Sequence, residues 1–338
     1  MKGKTFFLLA FLLAILTACN TEQVQQEEAE TKEEQLNVYT TLYPLQFFAE
    51  TIGGDQVEVQ SILPPGSDAH TYEPTSSTMI DIAESDAFIY IGAGMEAYAD
   101  SISEAVQDED VKLVEAADGV PLLESGVEEH GSEEEDHGHD HDHQSEEGHT
   151  HEEDTEEGEA GHVHGDVDPH VWLDPVRSIA LAENIKDTLV SLQPEQESLF
   201  EENYEQLKTR LQELDEEFHT LIDEQEQKDI LVSHAAYGYW EHAYGLNQIA
   251  IAGLSSSSEP SQKQIERIIE EAKHHGIDTI LFEQNVTPRV AEIVQKEIGA
   301  EPERIHNLAV LTEEDIENEE DYFTLMENNI QTLVKALQ

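Results

Sequence analysis

From residue 36 onward the chain alternates two hydrophobic rhythms. Short runs rich in Val, Ile, Leu, Phe and Tyr, namely "LNVYTT" at 36–41, "QVEVQSIL" at 56–63, "AFIYIG" at 87–92 and "VKLVEA" at 111–116, have the length and composition of strands. Between them, 44–52, 77–84 and 96–106 read as helices. The alternation restarts with "DILVSH" at 229–234, a helix over 237–244, "NQIAIAG" at 247–253, a helix over 261–275 and "DTILFE" at 278–283. A helix over 288–298, a short strand near Ile305 and a closing helix over 321–337 complete it. Strands alternating with helices pair in parallel through crossover helices. Between the two sets, 175–224 is helical, broken once near Pro194, with Leu207, Leu211 and Leu214 on one face. The pattern therefore predicts an α/β fold: two α/β lobes, 36–175 and 226–338, with mainly parallel sheets, joined by a long linking helix over 176–225. In open α/β sheets ligands sit beyond the carboxyl ends of strands, so the cleft between the lobes is the expected site.

Two stretches escape this rhythm. Lys2 and Lys4 precede an apolar run at 6–16 that is too short to span a bilayer and ends in small residues, which predicts a cleaved export signal over 1–18. The following residues to 35 are almost devoid of apolar side chains and form a tether. The second stretch, 124–168, is packed with acid and holds His130, His137, His139, His141, His143, His149, His151, His162 and His164. In "HGHDHDH" the histidines alternate, and an extended chain puts alternate side chains on one side, so pairs can share a cation. This tract is expected to be a disordered accessory loop that binds metal weakly, raising its concentration near the folded lobe.

Charge narrows the partners. The formal net charge is -60, which repels nucleic acid and excludes a basic patch for anionic lipid. Cys19 is the one cysteine, so neither an intramolecular disulfide nor a thiolate metal cluster can form.

Three histidines stand apart from the tract. His70 lies in "LPPGSDAHTYEPT" after a strand, His170 in "DVDPHVWLDP" between prolines, and His234 ends "DILVSH". Each sits at or just after an element end that faces the expected cleft. Three imidazoles drawn from separate loops make a site for a borderline-soft divalent cation, and zinc suits them best. His219, His242, His274, His275 and His306 stand on helices or near edges with charged neighbours and read as ordinary structural residues.

The segments "PPGSDAHTYEP", "DPHVWLDP", "ILVSHAAYGYW", "IAGLSSSSEPS" and "ILFEQNVTPRVAEIV" together resemble the metal-binding lipoproteins of bacterial ABC importers, most closely the zinc-uptake branch. The resemblance runs from residue 36 to the end with the motifs in order, and residues 16–19 resemble a lipobox, with Cys19 as the lipidated residue. It implies capture of Zn2+ by His70, His170 and His234 and delivery to a zinc permease and its ATPase. It further implies a monomer, outside the cytoplasm, held to the cell membrane by lipid, that is no enzyme. The manganese branch carries a glutamate where His234 stands, so the histidine favours zinc. Two departures are visible. Ala69 replaces the proline of the family's D-P-H, and Ala309 stands where the family often supplies a fourth, carboxylate ligand. Three histidines and a water are then expected, with Glu283 as a fourth ligand or a residue behind the ligands, and binding should weaken as pH falls through about 6. A manganese carrier, a surface adhesin or zinc store, and a secreted zinc hydrolase are the competing readings, although no H-E-x-x-H helix is present for the last.

Overall fold

The computed structural model describes residues 35–124, 167–285 and 288–338, and Gln35–Gln338 forms one compact unit. The export signal, Cys19, the tether and all nine tract histidines lie outside the described residues. In the first lobe β1 (Leu36–Thr40), β2 (Val57–Ser61), β3 (Ala87–Tyr90) and β4 (Lys112–Glu115) form a parallel sheet in the order β2-β1-β3-β4. Its helices are α1 (Tyr43–Gly53), α2 (Ser76–Ala83) and α3 (Ala99–Val106). Every residue of β3 but Tyr90 is buried, which is why that strand reads as a continuous apolar run rather than an alternating one.

The second lobe repeats the plan. Strands β5 (Asp229–His234), β6 (Asn247–Ala252), β7 (Thr279–Glu283) and β8 (Glu301–Ile305) pair in parallel in the order β6-β5-β7-β8. In both sheets the first strand in the chain is interior.

The stretch read as one linking helix is a hairpin. After α4 (Pro175–Leu192) a turn at Pro194–Gln196 reverses the chain, and α5 (Glu197–Asp223) packs back along α4, with Lys186 Nζ 3.0 Å from Glu201 Oε1 across the pair. Only α5 therefore makes the passage to the second lobe. It buries Phe200, Tyr204, Leu207, Leu211, Leu214, Phe218 and Ile222 against α1 and the last helix. The second lobe's helices are α6 (Gly238–Tyr244), α7 (Gln262–His275), α8 (Arg289–Ile298), α9 (Glu313–Glu317) and α10 (Tyr322–Ala336). Among the described residues no helix is long and apolar enough to cross a membrane.

Three aromatic side chains stitch the lobes together around residues 168–174. Trp172 is fully buried and its Nε1 donates to the Asn307 carbonyl (2.8 Å). Tyr322 Oη donates to the Trp172 carbonyl (2.8 Å), and Trp240 Nε1 donates to the Leu173 carbonyl (2.7 Å). Burying a Trp requires a partner for its N–H, and here each partner lies on a distant stretch of chain. Asp174 ends this segment as the N-cap of α4, its Oδ1 accepting from Arg177 N (3.0 Å), with Pro175 at the first helical position. The ends of the acidic tract meet beside it: Glu124 and Val167 bridge antiparallel and Asp168 N donates to the Leu123 carbonyl (2.8 Å).

Candidate metal centre

His234 is the last residue of β5, an interior strand, and its ring is placed by the strand itself. His170 follows Pro169 in a tight turn: Asp168 Oδ1 accepts from the His170 backbone N–H (3.0 Å) and from its Nδ1–H (2.8 Å). The Tyr239 hydroxyl donates to the Asp168 carbonyl (2.7 Å), and the His170 ring lies 5.4 Å from that of Trp172. His70 is carried on an irregular loop after β2. Gly66 takes the left-handed backbone (φ 71°) that turns this loop, and its N–H donates to the Leu311 carbonyl (2.8 Å). Asp68 Oδ1 then accepts from His70 N (2.9 Å), an Asx turn that repeats the Asp168–His170 arrangement.

The structure brings these three imidazoles together from positions 100 and 64 residues apart. His170 Nε2 lies 3.3 Å from His70 Nε2 and 3.4 Å from His234 Nε2. All three donor atoms lie within 4.8 Å of one another, and this is the one such His/Cys/Asp/Glu group among the described residues. Two nitrogens each about 2.0–2.1 Å from a tetrahedral zinc stand about 3.3–3.4 Å apart, so the separations of His170 from His70 and from His234 match two edges of a tetrahedral face. The bond to Asp168 fixes the His170 proton on Nδ1 and leaves a lone pair on Nε2. The His70 imidazole is pulled down to about 2, chiefly by burial and then by the neighbouring His170 and His234, so it stays neutral and able to act as a metal ligand.

Glu283 ends β7, beside His234. Its Oε1 is 2.5 Å from His234 Nδ1, an oblique approach that meets the distance but not the alignment of a hydrogen bond. Its Oε2 accepts from Asn307 Nδ2 (2.9 Å), and Tyr237 Oη donates to Oε1 (3.5 Å). Both oxygens thus have polar partners, and Glu283 also lines the small cavity next to His70 and His170. Ala309 lines the same small cavity, about 10 Å3 and no larger than a single water or ion, together with His70, His170, Met95, Trp172 and Asn307. A larger cleft of about 660 Å3 touches Asp168 from its far side, and none of the three imidazoles lines it.

The other histidines stay outside this cluster. His306 is buried rather than at an edge: its Nδ1 accepts from Leu308 N (2.9 Å) and its Nε2 faces Asp315 Oδ2 (3.1 Å). His275 Nδ1 pairs with Asp229 Oδ2 (2.9 Å) and His219 stacks edge-on against Tyr244. Sequence reasoning passed over Asp168 and Asp68 as working residues, although the spacing D-x-H recurs at 68–70 and 168–170. Gly238 left no signal at all. A Cβ there would stand 2.6 Å from Asp168 Oδ2, so only glycine lets the carboxylate keep its hold on His170. Gly238→Ala is expected to weaken zinc binding roughly 10- to 100-fold, the usual effect of disturbing the residue behind a histidine ligand, measurable by competition with a chelator.

Comparison with known proteins gives a consistent picture. The family model described as zinc-uptake complex component A, periplasmic, matches residues 38–336. The zinc-binding lipoprotein AdcA of Streptococcus pneumoniae (strain ATCC BAA-255 / R6) is 35% identical over 331 residues, covering 98% of this chain and 60% of that protein. The high-affinity zinc uptake system protein ZnuA of Bacillus subtilis (strain 168) is 31% identical over 336 residues, covering 99% and 98%. The crystal structure of the Zn(II)-bound ZnuA-like domain of S. pneumoniae AdcA superposes with a TM-score of 0.70 at 30% identity, covering 90% of this chain and 99% of that one. The chain spans about three fifths of the length of its streptococcal AdcA relatives, 60–61%.

Proposed function

The chain belongs to the zinc-uptake complex component A family, and we propose that it captures Zn2+ outside the cytoplasm and hands it, unchanged, to the permease and ATPase of an ABC importer. What carries this reading is the cluster of three imidazoles, with His170 Nε2 at tetrahedral-edge spacing from each of the other two. In this reading His70, His170 and His234 bind the ion directly and a water completes the tetrahedron, Ala309 having no donor to offer. Asp168 holds His170 by its far nitrogen, so that ring presents Nε2 without searching for it, and Glu283 stands beside the far nitrogen of His234. All-nitrogen ligation favours zinc over manganese, which prefers oxygen. Cys19 anchors the mature chain to the cell membrane through lipid, the protein works as a monomer, and the nine tract histidines collect ions weakly for the cleft.

The test is calorimetric titration of residues 20–338 with zinc and with manganese. One tight zinc site that disappears in the triple variant His70→Ala, His170→Ala, His234→Ala, with weak sites remaining, is the expected result. A tight site that survives the triple variant would place the principal binder elsewhere.

Acid acts on the fold as well as on the metal. The His70 value is depressed on folding, so its contribution to stability is complete above its ordinary value near 6.5 and is lost as pH falls from there toward about 2. The unfolded chain accepts a proton in that window and the folded site refuses it. Thermal unfolding of the zinc-free protein should therefore move to lower temperature between about pH 7 and pH 5, and His70→Ala should flatten that dependence. At this ligand, proton competition with zinc begins well below the value of about 6 that free imidazoles suggest.

A further inference from the structure

The serine-rich run after β6, "GLSSSSEPS" at 253–261, has no part in the function as described so far. Most of it folds on itself. Ser255 and Ser257 share a hydroxyl–hydroxyl bond (2.7 Å), Ser258 N donates to the Ser255 carbonyl (3.0 Å), and Ser261 caps α7 in a reciprocal box with Gln264. Ser256 alone of these reaches the other lobe: its Oγ donates to Asp68 Oδ2 at 2.6 Å. Ser256 also lines the same small cavity as His70 and His170.

Asp68 has one oxygen for each neighbour. Oδ1 holds the His70 backbone N–H and Oδ2 receives Ser256, so the carboxylate can hold the His70 turn only in the position the second lobe dictates. The other two cross-lobe bonds on this loop, Gly66 N to the Leu311 carbonyl and Asn285 Nδ2 to the Ser67 carbonyl (both 2.8 Å), grip it upstream of the turn. The three imidazoles differ in how they are held. His234 rides on a strand and His170 is locked at Nδ1 by Asp168, and both are buried. His70 rides on a loop, is only partly buried, and is positioned through its backbone. It is the ligand with the fewest constraints, and a short, charge-assisted hydroxyl–carboxylate bond supplies the missing one.

We infer that Ser256 is a positioning residue for zinc retention: acting through Asp68, it latches the turn that presents His70 and so governs how fast the ion leaves. The inference rests on the zinc-capture reading for its cargo, but the latch itself is a property of the zinc-free chain.

The experiment uses residues 20–338 carrying Ser256→Ala, Ser256→Thr or Ser257→Ala. In the zinc-free protein, hydrogen exchange at the His70 amide should quicken about tenfold in Ser256→Ala, the scale of losing one bond to a charged group. With zinc, dissociation into excess chelator should quicken by about the same factor while association stays within about twofold, because the latch acts on the assembled site. Ser256→Thr keeps the hydroxyl and should restore both, and Ser257→Ala should match the wild type. Wild-type dissociation and exchange in Ser256→Ala overturn the latch, as does failure of threonine to restore them. Equal loss in association and dissociation of the alanine variant also overturns it, since that marks a disordered site. If the wild-type chain itself fails to bind zinc, the functional reading falls, and the exchange measurement still decides the latch.

Discussion

His170→Ala is expected to lower zinc affinity roughly 100- to 1000-fold. Structural zinc sites bind with about 10–16 kcal/mol, so each of four ligands accounts for about 3–4 kcal/mol, and each 1.4 kcal/mol is a factor of ten. His170 is the shared neighbour of the cluster, its Nε2 facing both His70 and His234. Alanine also deprives the buried Asp168 carboxylate of its Nδ1–H partner, which leaves a charge poorly satisfied beside the remaining imidazoles. Competition titration against a chelator of known affinity measures the effect. A loss smaller than about tenfold would mean that the triad is not the tight site.

The second large effect is on the fold. Trp172→Ala should destabilise the zinc-free protein by about 3–5 kcal/mol from the cavity, with a further ~1–3 kcal/mol from the Asn307 carbonyl it leaves unpaired. Trp172 is fully buried, donates to that carbonyl, and accepts at its own carbonyl from Tyr322 and from Ser178 (3.0 Å). The last two bonds are backbone-directed and survive the substitution. Urea unfolding should show a lower midpoint with an unchanged slope, which separates lost stability from a changed unfolded state. Because the His170 ring rests near Trp172, the same variant should also weaken zinc binding. An unaltered midpoint would show that the aromatic stitching at 172 is dispensable.

The strands were legible because burial and chemistry agree along them. β3 is an apolar run of four and β5 carries the apolar run Ile230–Leu231–Val232, and such runs leave little choice. α9 was invisible for the opposite reason. "EEDIE" has one apolar residue and no buried one, and what holds it is the capping box of Thr312 and Asp315, which a hydrophobic pattern does not record. The α4–α5 hairpin was read as one linker because both helices keep an apolar face across Pro194. Periodicity reports which face is buried but not what buries it, and only the Lys186–Glu201 pairing reveals the reversal. His306 stands near an edge with charged neighbours in the sequence and reads as an ordinary structural residue. Its burial depends on Asp315 and Leu308 folding over it.

For the site, the motifs around His70, His170 and His234 were plain, and their meeting was not. No spacing rule joins residues 100 apart. The convergence was expected on resemblance and is visible in the coordinates as geometry. Of the groups beside the imidazoles, Glu283 is named by the sequence and the others are not. Asp68 and Asp168 could have been found from the repeated D-x-H, whereas Gly238 matters through an atom it lacks and Ser256 through a partner 188 residues away.

One apolar cluster runs from the first sheet to one face of the second, through Val38, Phe48, Trp172, Phe200, Trp240 and Val232, while the other face of the second sheet packs separately against α7 and α8. Binders built as two bodies on a hinge announce their cargo by posture, since an empty one gapes and a full one shuts. Lobes that share part of their interior resist such an opening, because tilting one would separate packed side chains. Whether an ion is aboard must then be written in something smaller, the set of a single surface loop. A recipient that distinguishes full carriers from empty ones has to read that local texture by touch, and can be deceived by any change that freezes the loop in place.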